Sequence, residues 1–193
     1  MHAERRDGLT AHGVATLSTG ASSLVGPPLA PAFSLIDHST RPVTEKDFRG
    51  RFLLVYFGFT HCRVVCPRTL TLLTGVLQDL GTAAQLIQPL YITVDPQRDS
   101  PEVMRAFLES RFPAFLGLTG AAENVAAVKA EFRVFAERKS DPLDPDGYAV
   151  PHSATAFLVA PDGAYLAHFP DTLSRDEVVR RIRRHVELHR VSL

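Results

Sequence analysis

Residues 51–77 limit the possible folds of this chain more than any other stretch, because an apolar run, a cysteine pair and a helical pattern follow one another there. After Arg51, residues 52–56 are apolar, aromatic or β-branched, as expected of a strand buried on both faces of a sheet. Beyond the cysteines, leucines recur at helical spacing, at Leu70, Leu73 and Leu77. Pro67 supports a helix start there, because the first helical turn tolerates a residue without an N–H group. We therefore predict that a central strand leads directly into a helix.

Both cysteines of the protein, Cys62 and Cys66, lie at this junction. At a helix N-terminus, free N–H groups and the helix dipole favour the thiolate, which is the reactive and metal-binding form of cysteine. Cysteines four residues apart on a helical turn share one face, with Cβ atoms roughly 5–6 Å apart. That spacing is compatible with a disulfide after local unwinding. It is also compatible with two thiolates on one soft metal ion, such as copper(I) or zinc, or with burial as two small apolar side chains.

A third ligand is needed if the cysteines hold a metal, and the sequence offers eight histidines. His152 is the best candidate, because it directly precedes the predicted strand 154–160, and a parallel sheet can bring such a loop beside the helix start. His61 is adjacent to Cys62, but neighbouring side chains on a turn usually point apart. His168 alternates with apolar residues, as a strand side chain does. The others lie in or near the irregular N-terminal part or on the last helix: His2, His12, His38, His185 and His189.

These residues together resemble the Sco/SenC copper proteins, which are thioredoxin-like chaperones of cytochrome c oxidase assembly. The matching segments occur in the family's order and cover about residues 30–190: Tyr56 to Cys62, Cys66-Pro67, Val94 to Pro101, Tyr148 to Ser153 and Pro161-Asp162-Gly163. The resemblance implies that Cys62, Cys66 and His152 bind one copper ion, and that the two cysteines can also cycle through a disulfide. It further implies a copper-accepting oxidase subunit or another copper protein as partner. The implied location is the periplasm or the outer face of the inner membrane.

The chain departs from the family pattern at two places close to these residues. The family usually has Pro-Asp after its first cysteine, whereas this chain has Arg63-Val64. An arginine beside the thiols should favour their deprotonation, and loss of the carboxylate should alter partner docking or the surroundings of the metal. The family often has Asp before its histidine, where this chain has Pro151. Because thioredoxin-like folds commonly keep a cis-proline near that point, our hypothesis is a cis Val150–Pro151 bond.

The remaining sequence predicts one α/β domain with a thioredoxin-like fold. The chain has 193 residues, of which 45% are hydrophobic, and this suffices for one well-buried domain. Strands and helices alternate, with a hairpin at residues 31–44 and another around 161–163, which indicates a central mixed sheet flanked by helices. We assign residues 31–193 to this domain. Residues 1–30 are rich in Gly, Ser, Thr, Ala and Pro, and we expect a flexible leader, with an export signal as the alternative.

Two polar loops accompany the predicted strands. A second buried strand at residues 87–94 opens into a loop with Asp95, Arg98 and Asp99, on the sheet edge where α/β folds place ligands. We expect turn hydrogen bonds and a local ion pair there, rather than direct partner contacts. The Asp-rich segment 141–147 fits no known calcium loop, and we expect it to be a solvated turn.

Three further helices are predicted. One begins at Pro101 with Ser100 as its N-cap. Another spans residues 121–137, with an apolar face that consists of Val125, Val128, Phe132 and Phe135. The last begins at the capping box 174–177 and buries Val178, Val179, Ile182 and Val186.

Two kinds of function are compatible with these residues. The first is a copper chaperone, in which His152 completes the site and copper passes to a partner by ligand exchange. The second is a thiol-disulfide oxidoreductase that uses Cys62 and Cys66 without a metal. Basic and acidic residues balance at 21 each, so we expect no nucleic-acid partner, and no apolar run approaches a membrane span. We expect a monomer.

Overall fold

A seven-stranded mixed sheet forms the centre of the computed structural model, which describes residues 31–190. The strands are β1 (Ser34–Asp37), β2 (Pro42–Thr44), β3 (Phe52–Gly58), β4 (Ile87–Thr93), β5 (Leu116–Thr119), β6 (Lys139–Ser140), β7 (Tyr148–Ala149), β8 (Thr155–Val159) and β9 (Tyr165–Pro170). The α-helices are α1 (Val65–Leu80), α2 (Pro101–Arg111), α3 (Ala122–Glu131) and α4 (Arg175–Arg190). Short 3₁₀ helices occupy Glu45–Phe48 and Gly81–Leu86.

The strand order in the sheet is β2-β1-β5-β4-β3-β8-β9. β3, β4 and β5 run parallel, whereas β1 pairs with β5, and β8 with β3, in antiparallel fashion. The hairpins β1-β2 and β8-β9 lie at the two edges of the sheet, and β6 and β7 form a separate two-stranded ladder. The predicted mixed sheet, its flanking helices and its N-terminal hairpin are therefore confirmed.

The core lies on both faces of β3, whose seven residues are all buried. Because side chains alternate along a strand, Tyr56 and Phe57 point to opposite faces. Tyr56 faces Cys66 of α1, and the ring of Phe57 packs on Phe132, which directly follows α3. The predicted apolar faces of α1 and α4 are also buried, at Leu70, Leu73 and Leu77 and at Val178, Val179, Ile182 and Val186. Both faces of the central strand are thus covered, as its sequence predicts.

The N-cap of α2 forms as predicted, whereas only the Ser174 half of the predicted capping box forms before α4. The Ser100 side chain accepts a hydrogen bond from the Val103 N–H group at the start of α2, and Ser174 accepts one from Glu177 before α4. The carboxylate of Glu177 pairs with Arg180 and Arg181.

The helix predicted over residues 121–137 is too long, because α3 ends at Glu131. Arg133 has a φ of +53°, a left-handed conformation that a helix cannot continue through. Phe135 is consequently exposed, although the helical pattern predicts that it is buried. The residues after Arg133 run as an extended segment that reaches the candidate site.

Three other expectations have different outcomes. The hypothesis of a cis Val150–Pro151 bond is wrong, because no cis peptide occurs among residues 31–190; a trans bond is the ordinary state before proline, with cis in only about 5–6% of cases. Strand β5 was not predicted, since it has only four residues and includes a glycine. The expected leader, residues 1–30, lies outside the described residues. None of the helices in the described part has the length and apolar character needed to cross a membrane.

Candidate metal centre

The two cysteines lie where β3 ends and α1 begins. Cys62 precedes α1 and Cys66 is its second residue, so the prediction that both share a helical turn is wrong. The N–H group of Cys62 donates to the carbonyl of Phe59 at 3.2 Å, and the N–H group of Cys66 donates to the sulfur of Cys62 at 3.3 Å. The N-cap residue of α1 is Val64, whose apolar side chain makes no capping hydrogen bond. The Cys62 sulfur therefore takes the place of a capping side chain at the start of α1.

The two free cysteines have different environments, since Cys62 is half-buried and Cys66 is fully buried. A hydrogen bond from the Cys66 thiol, followed by backbone N–H groups of Cys66, Val64 and Val65, lowers the pKa of Cys62 to about 5, although burial opposes this shift. The same hydrogen bond, together with burial, raises the pKa of Cys66. Near neutral pH the site therefore holds a thiolate at Cys62 and a protonated thiol at Cys66.

His152 lies beside this pair, in the loop that enters β8. Its Nε2 atom is 3.6 Å from the sulfur of Cys66, and its Nδ1 atom is 2.9 Å from the carbonyl oxygen of Val150. A carbonyl oxygen can only accept a hydrogen bond, so Nδ1 carries a proton. In the neutral imidazole, Nε2 is then the nitrogen with the lone pair, and it is the nitrogen on the side of the sulfur. The ring packs edge-on against Phe59, with centroids 5.8 Å apart.

The direction of β8 explains how His152 reaches the cysteines. The prediction was based on a parallel sheet, but β8 is antiparallel to β3, with Ala156 opposite Tyr56. An antiparallel strand begins at the end of the sheet where its neighbour finishes. The loop that enters β8 therefore lies at the C-terminal end of β3, next to the start of α1. A parallel β8 would begin at the opposite end.

The extended segment that follows α3 pairs with the loop that carries His152. Ala136 forms an antiparallel bridge with His152, and the N–H groups of Glu137 and Ser153 donate to the carbonyls of Pro151 and Phe135. This is the extended segment that the sequence pattern assigns to a helix. Its backbone hydrogen bonds fix the loop that carries His152.

Arg98 connects the loop after β4 to the Asp-rich segment. Its guanidinium bonds to Asp95 at 2.5 Å, which is the predicted local ion pair. It also bonds to Asp144 at 3.0 Å and to Asp146 at 3.4 Å. Asp144 is buried, so the prediction of a solvated turn is wrong for that residue. Arg98 also donates to the carbonyl of Tyr148, the first residue of β7. The Asp-rich segment is thus a structural tether that leads into the His152 loop.

Stacked cations reinforce the tether at Tyr148. The guanidinium carbon of Arg98 lies 3.8 Å from the Tyr148 ring centroid, and that of Arg138 lies 3.3 Å from it. The Tyr148 hydroxyl donates to Asp95. Tyr148 therefore links the loop after β4 to the segment that precedes His152.

Asp99 anchors the turn on the cysteine side. Its buried carboxylate accepts hydrogen bonds from the N–H and hydroxyl groups of Thr60 and from the hydroxyl of Thr93. Burial is the main cause of the raised pKa of Asp99, and these hydrogen bonds act against it. Thr60 lies two residues before Cys62, so Asp99 positions the backbone that leads to the sulfur.

The structure thus places Cys62, Cys66 and His152 at one end of the sheet. Within residues 31–190, no group of three or more His, Cys, Asp or Glu side chains is arranged so that it could hold a metal ion. The contact between Cys66 and His152 is in place, and Cys62 is tied to Cys66 through the Cys66 N–H group. Two supports of the His152 loop are seen in the structure and were not predicted: the extended segment after α3 and the Arg98 tether. The sequence shows the aspartates and the arginine of the tether, but not that they pair.

A thioredoxin-like domain with two cysteines at a strand-to-helix junction, and a distant histidine beside them, belongs to a class of thiol proteins with donors for a soft metal ion. Residues 22–187 match the family model described as SCO1/SenC, and the chain belongs to that family. The mitochondrial SCO2 homolog of Mus musculus is 40% identical over 157 residues, which cover 80% of this chain and 61% of the relative. The mitochondrial SCO1 homolog of Homo sapiens is 35% identical over 166 residues, which cover 85% of this chain and 55% of the relative.

Solved structures of two copper-bound relatives share the fold. Yeast Sco1 with copper bound has a TM-score of 0.75 and 34% identity, over 83% of this chain and 90% of that one. Bradyrhizobium japonicum ScoI with copper bound has a TM-score of 0.71 and 33% identity, over 79% and 96% of the two chains. The chain spans about three fifths of the length of curated relatives such as the SCO2 homologs of Mus musculus and Bos taurus.

Proposed function

We propose that this protein is a copper chaperone for the copper centre of cytochrome c oxidase, with Cys62, Cys66 and His152 as its copper ligands. The observation that carries the proposal is the position of His152, whose Nε2 atom is 3.6 Å from the Cys66 sulfur while its Nδ1 atom bonds to the carbonyl of Val150. Two thiolates and one imidazole are donors that suit copper(I). Copper-bound structures of two relatives support the choice of metal.

The surroundings of His152 favour a metal-binding role over a packing role. A histidine ligand characteristically donates its second ring N–H group to a carbonyl or carboxylate, which fixes the tautomer and the orientation of the ring. The carbonyl of Val150 has this role here. A redox protein that uses only the two sulfurs would have no need for this arrangement.

Copper transfer requires that one ligand can exchange while the others hold the ion. Cys62 is half-buried and lies before the helix, whereas Cys66 is fully buried within it. An incoming thiolate or imidazole of a partner therefore reaches the copper from the Cys62 side. Cys66 is the ligand that stays in place longest during the exchange.

The partner, in this proposal, is a copper-accepting oxidase subunit that docks on an apolar rim around the sulfurs. We define this rim as Val64, Phe135 and Leu143, whose exposed fractions are 67%, 61% and 80%. Val64 lies between the cysteines, and the backbone of Phe135 bonds to Ser153, next to His152. Side chains of this kind in an exposed cluster are typical of a protein-binding surface.

Arg63 contributes to the shape of the rim. Its guanidinium donates to the carbonyl of Leu143 at 2.8 Å and lies 3.8 Å from Asp141. These contacts tie the cysteine loop to the Asp-rich segment. The Arg63-Val64 sequence, which replaces the family's Pro-Asp, therefore supplies one side chain that contacts the Asp-rich segment and one exposed apolar side chain. We further propose that the protein acts as a monomer in the periplasm or on the outer face of the inner membrane.

A thiol-disulfide function of the same pair is the second candidate, and the low pKa of Cys62 favours it. The Cys62 thiolate would attack a partner disulfide, form a mixed disulfide and release one partner thiolate. Cys66 would then lose its proton and attack the Cys62 sulfur, which releases the second partner thiolate. Two electrons pass to the partner, and this chain is left with a Cys62–Cys66 disulfide.

Anaerobic copper(I) titration of the reduced protein tests the proposal. The wild type should bind a single copper ion, and Cys62→Ser, Cys66→Ser and His152→Ala should each weaken binding by at least about tenfold. His168→Ala is the matched control, because His168 is an exposed histidine on β9. If His152→Ala holds copper as tightly as the wild type, or if the wild type prefers zinc, the copper assignment fails and the redox function remains.

A further inference from the structure

Two tyrosines of the central strands lie under the sulfur of Cys66. Tyr56 on β3 and Tyr91 on β4 are direct neighbours in the parallel register, and their rings stack with centroids 6.0 Å apart. Both side chains are fully buried. The hydroxyl oxygen of Tyr56 is 3.9 Å from the Cys66 sulfur. Two phenolic O–H groups therefore lie in the part of the core that faces this cysteine.

Tyr91 approaches the same sulfur across Gly58. A Cβ atom at Gly58 would lie 2.6 Å from the Tyr91 hydroxyl oxygen and 2.8 Å from the Cys66 sulfur. The hydroxyl and the sulfur thus both border the space that glycine leaves open. A larger residue at this position would have to displace one of them.

The Tyr91 hydroxyl is buried and has no hydrogen-bond partner within the described part of the chain. Burial of an unpaired hydroxyl is unfavourable, and such groups in native structures call for an explanation. The ring alone accounts for the packing of Tyr91 on Tyr56 and on Phe107, and phenylalanine would pack equally well. The oxygen atom therefore needs a reason of its own.

We propose that Tyr91, together with Tyr56, is a positioning residue that donates a hydrogen bond to the Cys66 sulfur when that sulfur is the copper-bound thiolate. A thiolate accepts hydrogen bonds far better than a thiol does, so the unpaired Tyr91 donor gains its acceptor when copper binds. The hydrogen bonds hold the buried sulfur in place while Cys62 exchanges. They also reduce electron donation from sulfur to copper, which favours copper(I) over copper(II). This inference rests on the proposed copper function.

Tyrosine-to-phenylalanine variants test the inference, because each removes a single oxygen atom and keeps the ring. We expect Tyr91→Phe and Tyr56→Phe to weaken copper(I) binding, and the double variant to weaken it by about tenfold or more in competition with a chelator. Tyr165→Phe is the matched control, since the Tyr165 hydroxyl bonds to His168 on β9. The unfolding midpoint of each variant shows that the fold is retained.

A spectroscopic readout separates hydrogen bonding from packing. In the copper(II) form, loss of a donor to sulfur should move the sulfur-to-copper charge-transfer band of Tyr91→Phe to longer wavelength, while Tyr165→Phe leaves the band unchanged. If both tyrosine variants match the wild type in affinity and band position, the inference is overturned and the copper function stands. A wild type that binds no copper would overturn both.

Discussion

The Arg98 tether allows a quantitative test of how this site is held together. The side chain of Arg98 is 9% exposed, and the carboxylates of Asp95 and Asp144 are 5% and 4% exposed. Arg98→Met keeps most of the apolar stem but leaves both buried carboxylates without their cation. Loss of one partner of a buried ion pair lowers the free energy of unfolding by about 3–5 kcal/mol. In a domain of this size that corresponds to a fall in Tm of about 6–20 °C.

Urea unfolding of the copper-free protein measures this effect, and Arg180→Met is the matched control. Arg180 pairs with Glu177 on the surface of α4, with 73% of its side chain exposed, so its loss should change the free energy of unfolding by at most about 1 kcal/mol. Asp144→Asn in the Arg98→Met background should recover part of the loss, because one uncompensated charge disappears. If Arg98→Met unfolds within about 1 kcal/mol of the wild type, as the control does, the tether does not stabilise the fold.

The remaining predictions concern the sulfurs and their supports. Alkylation of Cys62 in the reduced, copper-free protein should be half-maximal near pH 5, and the midpoint should rise in Cys66→Ala, which lacks the thiol donor; a wild-type midpoint above pH 8 would contradict this. Gly58→Ala places a Cβ atom 2.8 Å from the Cys66 sulfur, so we expect a loss of about 1–3 kcal/mol in urea unfolding together with weaker copper binding. Gly120→Ala, with its nearest neighbour at 3.4 Å, is the control and should have neither effect. Because the pKa of Asp99 is raised, the folded state holds this proton more tightly than the unfolded state, and wild-type stability should fall relative to Asp99→Asn as the pH rises above about 4. A stability difference that does not change with pH would argue against it.

Local sequence patterns predict the parts of this fold that local interactions determine. The buried strand β3 and the leucines of α1 each have a clear apolar pattern, and the structure confirms both. The cysteine pair lies at the predicted junction, and Pro67 lies in the first turn of α1, where a proline is tolerated. The sequence pattern does not show where α3 ends. Apolar residues continue at helical spacing to Phe135, although the backbone of Arg133 adopts a left-handed conformation. Periodicity alone therefore overestimates the helix by several residues.

Contacts between residues far apart in sequence could not be predicted in the same way. Arg98 and Asp144 are 46 residues apart, and nothing near Asp144 in the sequence distinguishes it from Asp141 and Asp146, which are less buried. The position of His152 was predicted correctly, but on the basis of a parallel strand, whereas the observed reason is the antiparallel direction of β8. A single sequence identifies candidate ligands by their chemistry. The distances between them depend on the strand pairing.

Local interactions hold one part of the site and contacts between distant residues hold the other, so the two parts should respond differently to mutation. Cys62 and Cys66 are held by backbone groups of the same short segment, with the Cys66 N–H group bonded to the Cys62 sulfur. His152 lies in a loop that depends on distant supports, namely the bridge to Ala136 and the Arg98 tether through Tyr148. Substitutions remote from the ligands should therefore change copper affinity mainly through the imidazole and leave the reactivity of the thiols nearly intact. Because one ligand can be loosened from a distance while two stay in place, a partner that displaces the tether or the segment around Ala136 could release copper without opening the sulfur pair.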